Sequence, residues 1–216
     1  MTMTPAQKAK YHDVDQALLR KWRTPAGQEL IREGAKIANY LMEHGPLPTA
    51  VADDMLPEAD RDTGMIRYFE DRDYHLETNA AGDIVGAGIS LICDERSAVH
   101  ISEIYGRRFY NWCVCDIVMF PIILGTFAPS STVCPASGDT ITFTVIPTGF
   151  DDLSHPEAWF TLAPAHGGDI RVIYCNRVNI YADREKAEAA AAADPDVACA
   201  PIAELWTGTK ALADMF

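Results

Sequence analysis

"RFYNWCVCDIVMFP", residues 108–121, lies near the middle of the 216-residue chain and places two cysteines and an aspartate among aromatic and branched apolar residues. Such an apolar run predicts a buried helix, entered from a preceding strand and turn. Cys113 and Asp116 are three positions apart and share one face of a helix. Cys115 is rotated about 200° from Cys113 and is expected to point elsewhere and pack in the core. Pro121 predicts a kink or an end of this helix.

The chain before this stretch has the pattern of a helical module. Apolar periodicity predicts helix over residues 5–44 with a stop at Gly45, followed by two short helices broken around Pro57. Residues 74–93 alternate around the turn sequence "NAAGD" and predict a β-hairpin. Helix, helix, helix and hairpin is the order of a winged helix. Residues 1–90 are therefore predicted to form a winged-helix-like N-terminal module.

Residues 91–216 are predicted to form a second, mixed α/β domain with a small β-sheet. Residues 139–147 and 171–182 alternate between apolar and polar positions and predict strands. The alanine-rich stretch 183–195 predicts a helix with an aspartate cap, and residues 200–216 predict another helix. The fold class expected for the whole chain is α+β.

The charge of the chain argues against nucleic acid as a partner. The formal net charge is −13, and the segment from Gly45 to Val85 carries ten acidic residues against three arginines. This excess repels phosphate, so the N-terminal module is expected to serve as a packing or lid domain. No segment reaches about 18 uninterrupted apolar residues, and the N-terminus lacks the apolar region of a secretion signal. These patterns predict a cytoplasmic protein without a nucleic-acid or membrane partner.

Six cysteines in a cytoplasmic chain are expected to stay reduced. The spacing contains no C-x-x-C pair, which weakens the case for structural zinc, and the histidines form no metalloprotease motif. Cys175 lies on the polar face of the predicted strand 171–182, two residues before Arg177, whose charge is expected to lower the pKa of the thiol. A buried structural cysteine remains the alternative at this position. Cys134, in a Pro/Ser/Gly-rich loop, is either a third thiol near the site or structural.

Four stretches together resemble the organomercurial lyase (alkylmercury lyase) family: "FYNWCVCDIVMFPIILG", "SSTVC", "TITFTVIP" and "YCNRVNIYA". The combination of Trp-Cys-x-x-Asp with a distal cysteine carries the resemblance. It implies that Cys113 is the first catalytic cysteine, Asp116 the catalytic aspartate and Cys175 the second catalytic cysteine, and that Cys134 is structural. The chain departs from the family pattern at Cys115, where an aliphatic residue is common, and at Asn176, where a further cysteine can occur.

The resemblance implies an activity that suits these side chains. Thiolates are soft ligands for a soft metal, so Cys113 and Cys175 are expected to bind mercury, with Asp116 as the third residue of the mercury site. Asp116, desolvated by apolar neighbours, is expected to keep a proton and deliver it to the departing carbanion. The products are a hydrocarbon and Hg(II). The resemblance implies no cofactor, small thiols as co-reactants and a mercuric reductase as an acceptor of Hg(II).

Three alternatives stay open at this stage. The same cysteines suit a thiol-based heavy-metal-binding protein without turnover. A divergent relative with other lyase or biosynthetic chemistry is also compatible with the motif, because one fold hosts several functions. A winged-helix regulator that senses metal is disfavoured by the acidic N-terminal region.

Overall fold

The computed structural model describes residues 2–94, 99–165 and 167–214. Residues 95–98, 166, 215 and 216 of the predicted second domain, the last two of them in its predicted C-terminal helix, lie outside these residues. The described helices are α1 (Pro5–Trp22), α2 (Pro25–His44), α3 (Thr49–Met55), α4 (Met65–Glu70), α5 (Val114–Leu124), α6 (Ile170–Ile173), α7 (Arg184–Ala193) and α8 (Ile202–Ala213). Short 3-10 helices span Glu58–Thr63 and Cys175–Arg177.

The described strands form two antiparallel sheets. They are β1 (Glu77–Thr78), β2 (Ile84–Ala87), β3 (Ile89–Ser90), β4 (Ile101–Ile104), β5 (Arg107–Asn111), β6 (Ala128–Val133), β7 (Thr140–Ile146), β8 (Gly149–Asp151), β9 (Trp159–Leu162), β10 (Ile180–Tyr181) and β11 (Ala198–Pro201). The larger sheet has the order β1-β2-β3-β5-β4-β6-β7-β8, and the smaller has the order β10-β9-β11. The α+β class is confirmed, but the eight-stranded sheet is larger than the small sheet predicted.

The larger sheet runs across the predicted domain boundary near residue 90. Ser90 of β3 pairs with Gly86 of β2 on one side and with Tyr110 of β5 on the other. The division into residues 1–90 and 91–216 stays a prediction. The hairpin and the central strands hydrogen-bond in one sheet, so the cysteine-bearing helix α5 follows directly from a strand anchored to the hairpin.

Capping residues set where the two N-terminal helices begin and end. Thr4 and Thr24 each accept a hydrogen bond from a backbone N–H of the first turn, and a proline follows each threonine. Gly45, at a φ of +89°, ends α2 as predicted. The helical region predicted over residues 5–44 is therefore two helices, because Thr24 begins the second.

The strand predicted over residues 171–182 is wrong for most of its length. Residues Ile170–Ile173 are helical, Cys175–Arg177 form a 3-10 turn, and the strand Ile180–Tyr181 has only two residues. The carboxylate of Asp169 accepts hydrogen bonds from the backbone N–H groups of Arg171 and Val172. This cap favours a helical turn over an extended backbone at the same apolar residues.

Other local predictions are confirmed. The strand predicted over residues 139–147 is β7, and the alanine-rich helix is α7, where Asp183 accepts from the backbone N–H of Lys186 at 3.0 Å. Helix α5 packs against strands β3 to β7 and against α8, which places its first turn in the interior. In the described part of the chain, no helix has the length and apolarity needed to span a membrane.

Candidate active site

Cys113 occupies the junction between strand β5 and helix α5. It is the N-cap of the helix, with an extended backbone (φ −152°, ψ 176°). Asp116, at the third helical position, turns its carboxylate back toward this cap. Its Oδ2 accepts from the backbone N–H of Cys113 at 3.0 Å and from the Cys113 thiol at 3.2 Å. The predicted pairing of Cys113 with Asp116 is present, but a capping interaction creates it rather than a shared helix face.

Cys175 reaches the same point from the 3-10 turn after α6. One ligand atom from each of Cys113, Asp116 and Cys175 lies within 4.8 Å of the other two, a spacing at which one metal ion can contact all three. The three residues are 0, 8 and 4% exposed, respectively. The structure therefore brings together the three candidate residues, although Asp116 and Cys175 are 59 residues apart in the sequence.

Asp116 is buried in a way that favours its protonated form. Burial raises the pKa of its carboxyl from 3.8 to about 7. The hydrogen bonds from Cys113 and the positive charge of Arg171 oppose this rise but do not cancel it. Near neutral pH the group can therefore both accept and donate a proton.

The thiols are also shifted toward their protonated forms. Burial raises the pKa of Cys113 well above its ordinary value, although contact with Cys115 opposes the shift. For Cys175, the hydrogen bond with Cys113 lowers the pKa, but burial and the carboxylate of Asp116 outweigh it, and the pKa is raised overall. Both thiols therefore hold their protons at rest.

The expectation that Arg177 lowers the pKa of Cys175 is wrong. The guanidinium of Arg177 donates to both oxygens of Asp194, at 2.9 and 2.8 Å. The cation that acts on Cys175 is Arg171, and its lowering effect is smaller than the effect of burial. The correction follows from the 3-10 turn, because residues two apart share a face only in an extended strand.

Cys115 is buried, as expected, but it does not point away from the site. It lines the same cavity as Asp116 and Cys175, and the Tyr174 hydroxyl donates to the Cys115 sulfur at 3.0 Å. The expected rotation of about 200° assumes that both cysteines are helical. Cys113 is extended, so this rule does not apply between the two positions.

A mostly apolar cavity of about 480 Å³, including the open solvent at its mouth, leads to these groups. The N-terminal helices contribute Trp22 and Ile31 to its wall, and sequence patterns alone assigned these residues no role. The remaining lining residues are Tyr74, Trp112, Cys115, Asp116, Met119, Ile170, Tyr174, Cys175 and Leu212. The cavity therefore offers an apolar chamber for an organic group, with thiols and a carboxyl on its wall.

Gly88 brings the hairpin close to Asp116. It adopts a φ of +81°, and a Cβ at this position would lie 3.2 Å from the Tyr74 hydroxyl and 3.3 Å from Oδ1 of Asp116. Its carbonyl accepts from the backbone N–H of Trp112 at 2.9 Å. A glycine allows both the backbone conformation and the close approach.

Arg171 ties the hairpin to the segment that carries Cys175. It donates to Oε1 of Glu77 at 2.6 Å, pairs with Asp94, and lies 5.1 Å from the ring centre of Trp112. No local sequence pattern marks this residue, because its partners are distant along the chain. Arg171 thus places a positive charge near Asp116, but among the described contacts it donates no hydrogen bond to the Cys175 thiol.

The other cysteines lie elsewhere. Cys134 is buried in the loop between β6 and β7, where its backbone N–H donates to the carbonyl of Asp139 at 2.8 Å. Cys93 is exposed, and Cys199 lies on β11. None of the three is among the described residues that line the cavity.

Comparison with known proteins identifies the family of this chain. Residues 95–214, more than half of the chain, match the sequence profile described as MerB, alkylmercury lyase. The chain belongs to the alkylmercury lyase family. An alkylmercury lyase of Pseudomonas putida is 34% identical over 127 residues, which are 58% of each chain. An alkylmercury lyase of Streptomyces lividans is 27% identical over 131 residues, 60% of this chain and 59% of the relative.

The match therefore spans less than two thirds of the length of these curated relatives. A solved structure described as the mercury-bound form of MerB2 superposes over 94% of this chain and 98% of its own, with a TM-score of 0.74 and 13% identity. At this identity the likeness shows the fold alone. The fold of that structure thus extends over nearly the whole chain, while the profile match covers the part that carries the three candidate residues.

Proposed function

We propose that this protein is an organomercurial lyase, which splits the carbon–mercury bond by protonolysis into a hydrocarbon and Hg(II). Cys113 and Cys175 bind mercury, and Asp116 donates the proton. The observation that carries this proposal is the cluster of two thiols and one carboxyl within 4.8 Å, buried at an apolar cavity in a member of the alkylmercury lyase family.

The first step is the transfer of the organomercury group to Cys113. A mercury–sulfur bond forms to the Cys113 thiol as the ligand on the incoming mercury departs. The thiol proton passes to Oδ2 of Asp116, which already accepts a hydrogen bond from this sulfur at 3.2 Å. A thiol with a raised pKa needs such a base at the moment it binds the metal, and Asp116 is in contact with it.

The second step is attack of Cys175 on the same mercury. The second soft ligand adds electron density to the metal and weakens its bond to carbon. Asp116 then gives its proton to the carbon atom, and the hydrocarbon leaves. The Cys113 proton thus ends on carbon. The Cys175 proton passes to the Asp116 carboxylate that this transfer leaves behind and from there to the displaced ligand in solution, while Hg(II) stays between Cys113 and Cys175.

The apolar wall supports this chemistry in two ways. It receives the organic group of the substrate, and it keeps water from Asp116, so that the pKa of the carboxyl stays raised. Trp22 and Ile31 contribute to this wall from α1 and α2. This contribution supports the proposal that residues 1–90 act as a winged-helix-like packing or lid module, rather than as a DNA-binding domain.

The proposed function also includes the co-reactants, the acceptor of Hg(II) and the cellular location. No cofactor is required by the reaction as written. Small thiols remove Hg(II) from the protein, and a mercuric reductase is the proposed final acceptor. We propose a cytoplasmic location without nucleic-acid or membrane partners, which the acidic net charge of −13 supports.

The decisive experiment incubates the protein with phenylmercury or methylmercury and excess thiol, and measures benzene or methane. We expect hydrocarbon well above a thiol-only control. Cys113→Ser and Cys175→Ser should each abolish its release, because each removes a mercury ligand. Cys199→Ser, which removes a buried thiol outside the cavity, is the matched control and should retain the activity.

Absence of hydrocarbon above the thiol-only control would show that the proposal is wrong. The same cluster also suits a heavy-metal-binding protein without turnover. A single-turnover measurement separates the two functions, since a binder forms the protein–mercury adduct but releases no hydrocarbon. A divergent lyase with other chemistry would likewise release none.

A further inference from the structure

Cys115 has no role in the reaction described above, although its thiol faces the reacting groups. It lines the same cavity as Asp116 and Cys175. Its sulfur is buried and accepts at 3.0 Å from the hydroxyl of Tyr174, which is next to Cys175 in the chain. A buried thiol with these neighbours is placed as a ligand for a soft metal rather than as a filler of the apolar core.

The Cys113 sulfur lies within 4.8 Å of the Cys175 sulfur. Cys115 follows Cys113 by two residues and lines the same cavity as Cys175, although its sulfur is outside the group of three described ligand atoms around Asp116. The site thus holds two adjacent dithiol pairs that share one cysteine. One is Cys113 with Cys175, and the other is Cys113 with Cys115.

We propose that Cys115 is a handover ligand, which takes Hg(II) from Cys175 while Cys113 keeps hold of the metal. This inference rests on the proposed function for the source of the Hg(II). A mercury–sulfur bond to Cys115 forms, the bond to Cys175 breaks, and the proton lost by Cys115 ends on Cys175. Mercury remains Hg(II) throughout, so that the exchange needs no oxidant or reductant.

The surroundings of Cys115 support departure of the metal from this position. Together with Tyr174 and Leu212, Cys115 also lines a second cavity of about 290 Å³, on whose wall lie Tyr11 and Asp15. Mercury held by Cys113 and Cys115 therefore borders a space from which a small thiol can approach. The Tyr174 hydroxyl is already placed to donate to the metal-bound sulfur. Cys175 is meanwhile protonated and free for the next substrate.

The test uses Hg(II) alone, at one equivalent, and counts its sulfur neighbours by X-ray absorption spectroscopy. In the Cys175→Ala variant we expect two sulfurs, supplied by Cys113 and Cys115. Adding Cys115→Ala to this variant should reduce the count to one. Adding Cys199→Ala instead is the matched control and should leave two sulfurs.

A single sulfur in the Cys175→Ala variant, or an unchanged count when Cys115→Ala is added, would overturn the handover site. Near-UV circular dichroism checks that each variant is folded, and Cys175→Ser replaces Cys175→Ala if the alanine variant is not. The outcome is independent of turnover, because no organomercurial is used. If the protein releases hydrocarbon but the sulfur count does not fall from two to one when Cys115→Ala is added, only the handover site is refuted. If the count falls as expected but no hydrocarbon is released from an organomercurial, only the lyase function is refuted.

Discussion

Asp116 combines a structural and a chemical role in one carboxyl group. Its Oδ2 caps helix α5 by accepting from the backbone N–H of Cys113, and the same oxygen accepts from the thiol. Burial raises its pKa to about 7, so the ionised form is disfavoured in the folded protein relative to the unfolded chain. The folded protein holds the Asp116 proton more tightly than the unfolded chain does. The resulting contribution to stability is fully present below the unfolded pKa of 3.8, and it is lost as the pH rises through the folded pKa of about 7.

Asp116→Asn should therefore stabilise the protein while abolishing hydrocarbon release. The amide oxygen can still accept from the Cys113 N–H, but it carries no charge and offers no acidic proton. We expect the free energy of unfolding at pH 8 to exceed that of the wild type by up to about 4 kcal/mol. The difference should disappear below about pH 4, where Asp116 is neutral in both states. Denaturant unfolding at a series of pH values measures it.

Asp183→Asn is the matched control for this change. Asp183 also caps a helix, but hydrogen bonds with Lys186 lower the pKa of its partly exposed carboxyl. Its substitution should weaken the protein at pH 8 rather than strengthen it. An Asp116→Asn variant that is less stable than the wild type at pH 8 would contradict the assigned cost of ionising the buried carboxyl.

At the scale of the elements, the turn between β2 and β3 positions helix α5. Gly88 in this turn accepts from the backbone N–H of Trp112, the residue before Cys113, so that the hairpin and the cap of α5 are joined by the backbone. The positive φ of Gly88 and its proximity to Asp116 both exclude a side chain. The turn thus sets the distance between the hairpin and the carboxyl.

Gly88→Ala should reduce both stability and activity. We expect a loss of about 2 kcal/mol in the free energy of unfolding, from backbone strain and from the contact with Phe120 and Asp116. Hydrocarbon release should fall about tenfold or more, because a small displacement of a catalytic group is costly. Chemical denaturation and initial rates measure the two effects.

Gly82→Ala separates strain from contact. Gly82 also has a positive φ, of +88°, but a Cβ there would meet nothing within 4 Å. This variant should lose about 1 kcal/mol and keep its rate of hydrocarbon release. If Gly82→Ala and Gly88→Ala lost the same fraction of the hydrocarbon-release rate, the close approach of Gly88 to Asp116 would not be what sustains activity.

At the scale of the whole molecule, Arg171 holds distant parts of the chain together around the cavity. It joins Glu77 of the hairpin and Asp94 to the segment that leads to Cys175. The second carboxylate oxygen of Glu77 is buried and has no hydrogen-bond partner among the described residues. Loss of the guanidinium would leave this acidic group buried without its cation, a costly state.

Arg171→Met should destabilise the protein by about 3 kcal/mol. It should also raise the pKa of Asp116 further, because the charge that lowers it is removed. The matched control is Arg67→Met, which breaks an exposed pair with Asp71 and should cost less than about 0.5 kcal/mol. Thermal and denaturant unfolding compare the variants, and similar losses for both would contradict the role of Arg171 in neutralising Glu77.

The sequence by itself determined the features that depend on neighbouring residues. Threonine, proline and glycine mark the limits of α1 and α2, and alternation identifies β7, because caps and periodicity act within a few residues. The stretch 108–121 also contains the thiol and the carboxyl of the cap of α5, and its motif carried the family resemblance. Local patterns were sufficient for the class of fold and for the pairing of Cys113 with Asp116, whereas the family resemblance, rather than local chemistry, supplied Cys175.

Only the tertiary structure decided how these residues meet. Cys175 lies in a 3-10 turn, since the Asp169 cap outweighs the alternating pattern, and Cys115 faces the site because Cys113 is extended at the end of a strand. The raised pKa of Asp116 depends on burial by segments from both ends of the chain, and Arg171 reaches its partners across the fold. Burial and long-range charge are sums over residues distant in sequence, so local patterns do not contain them.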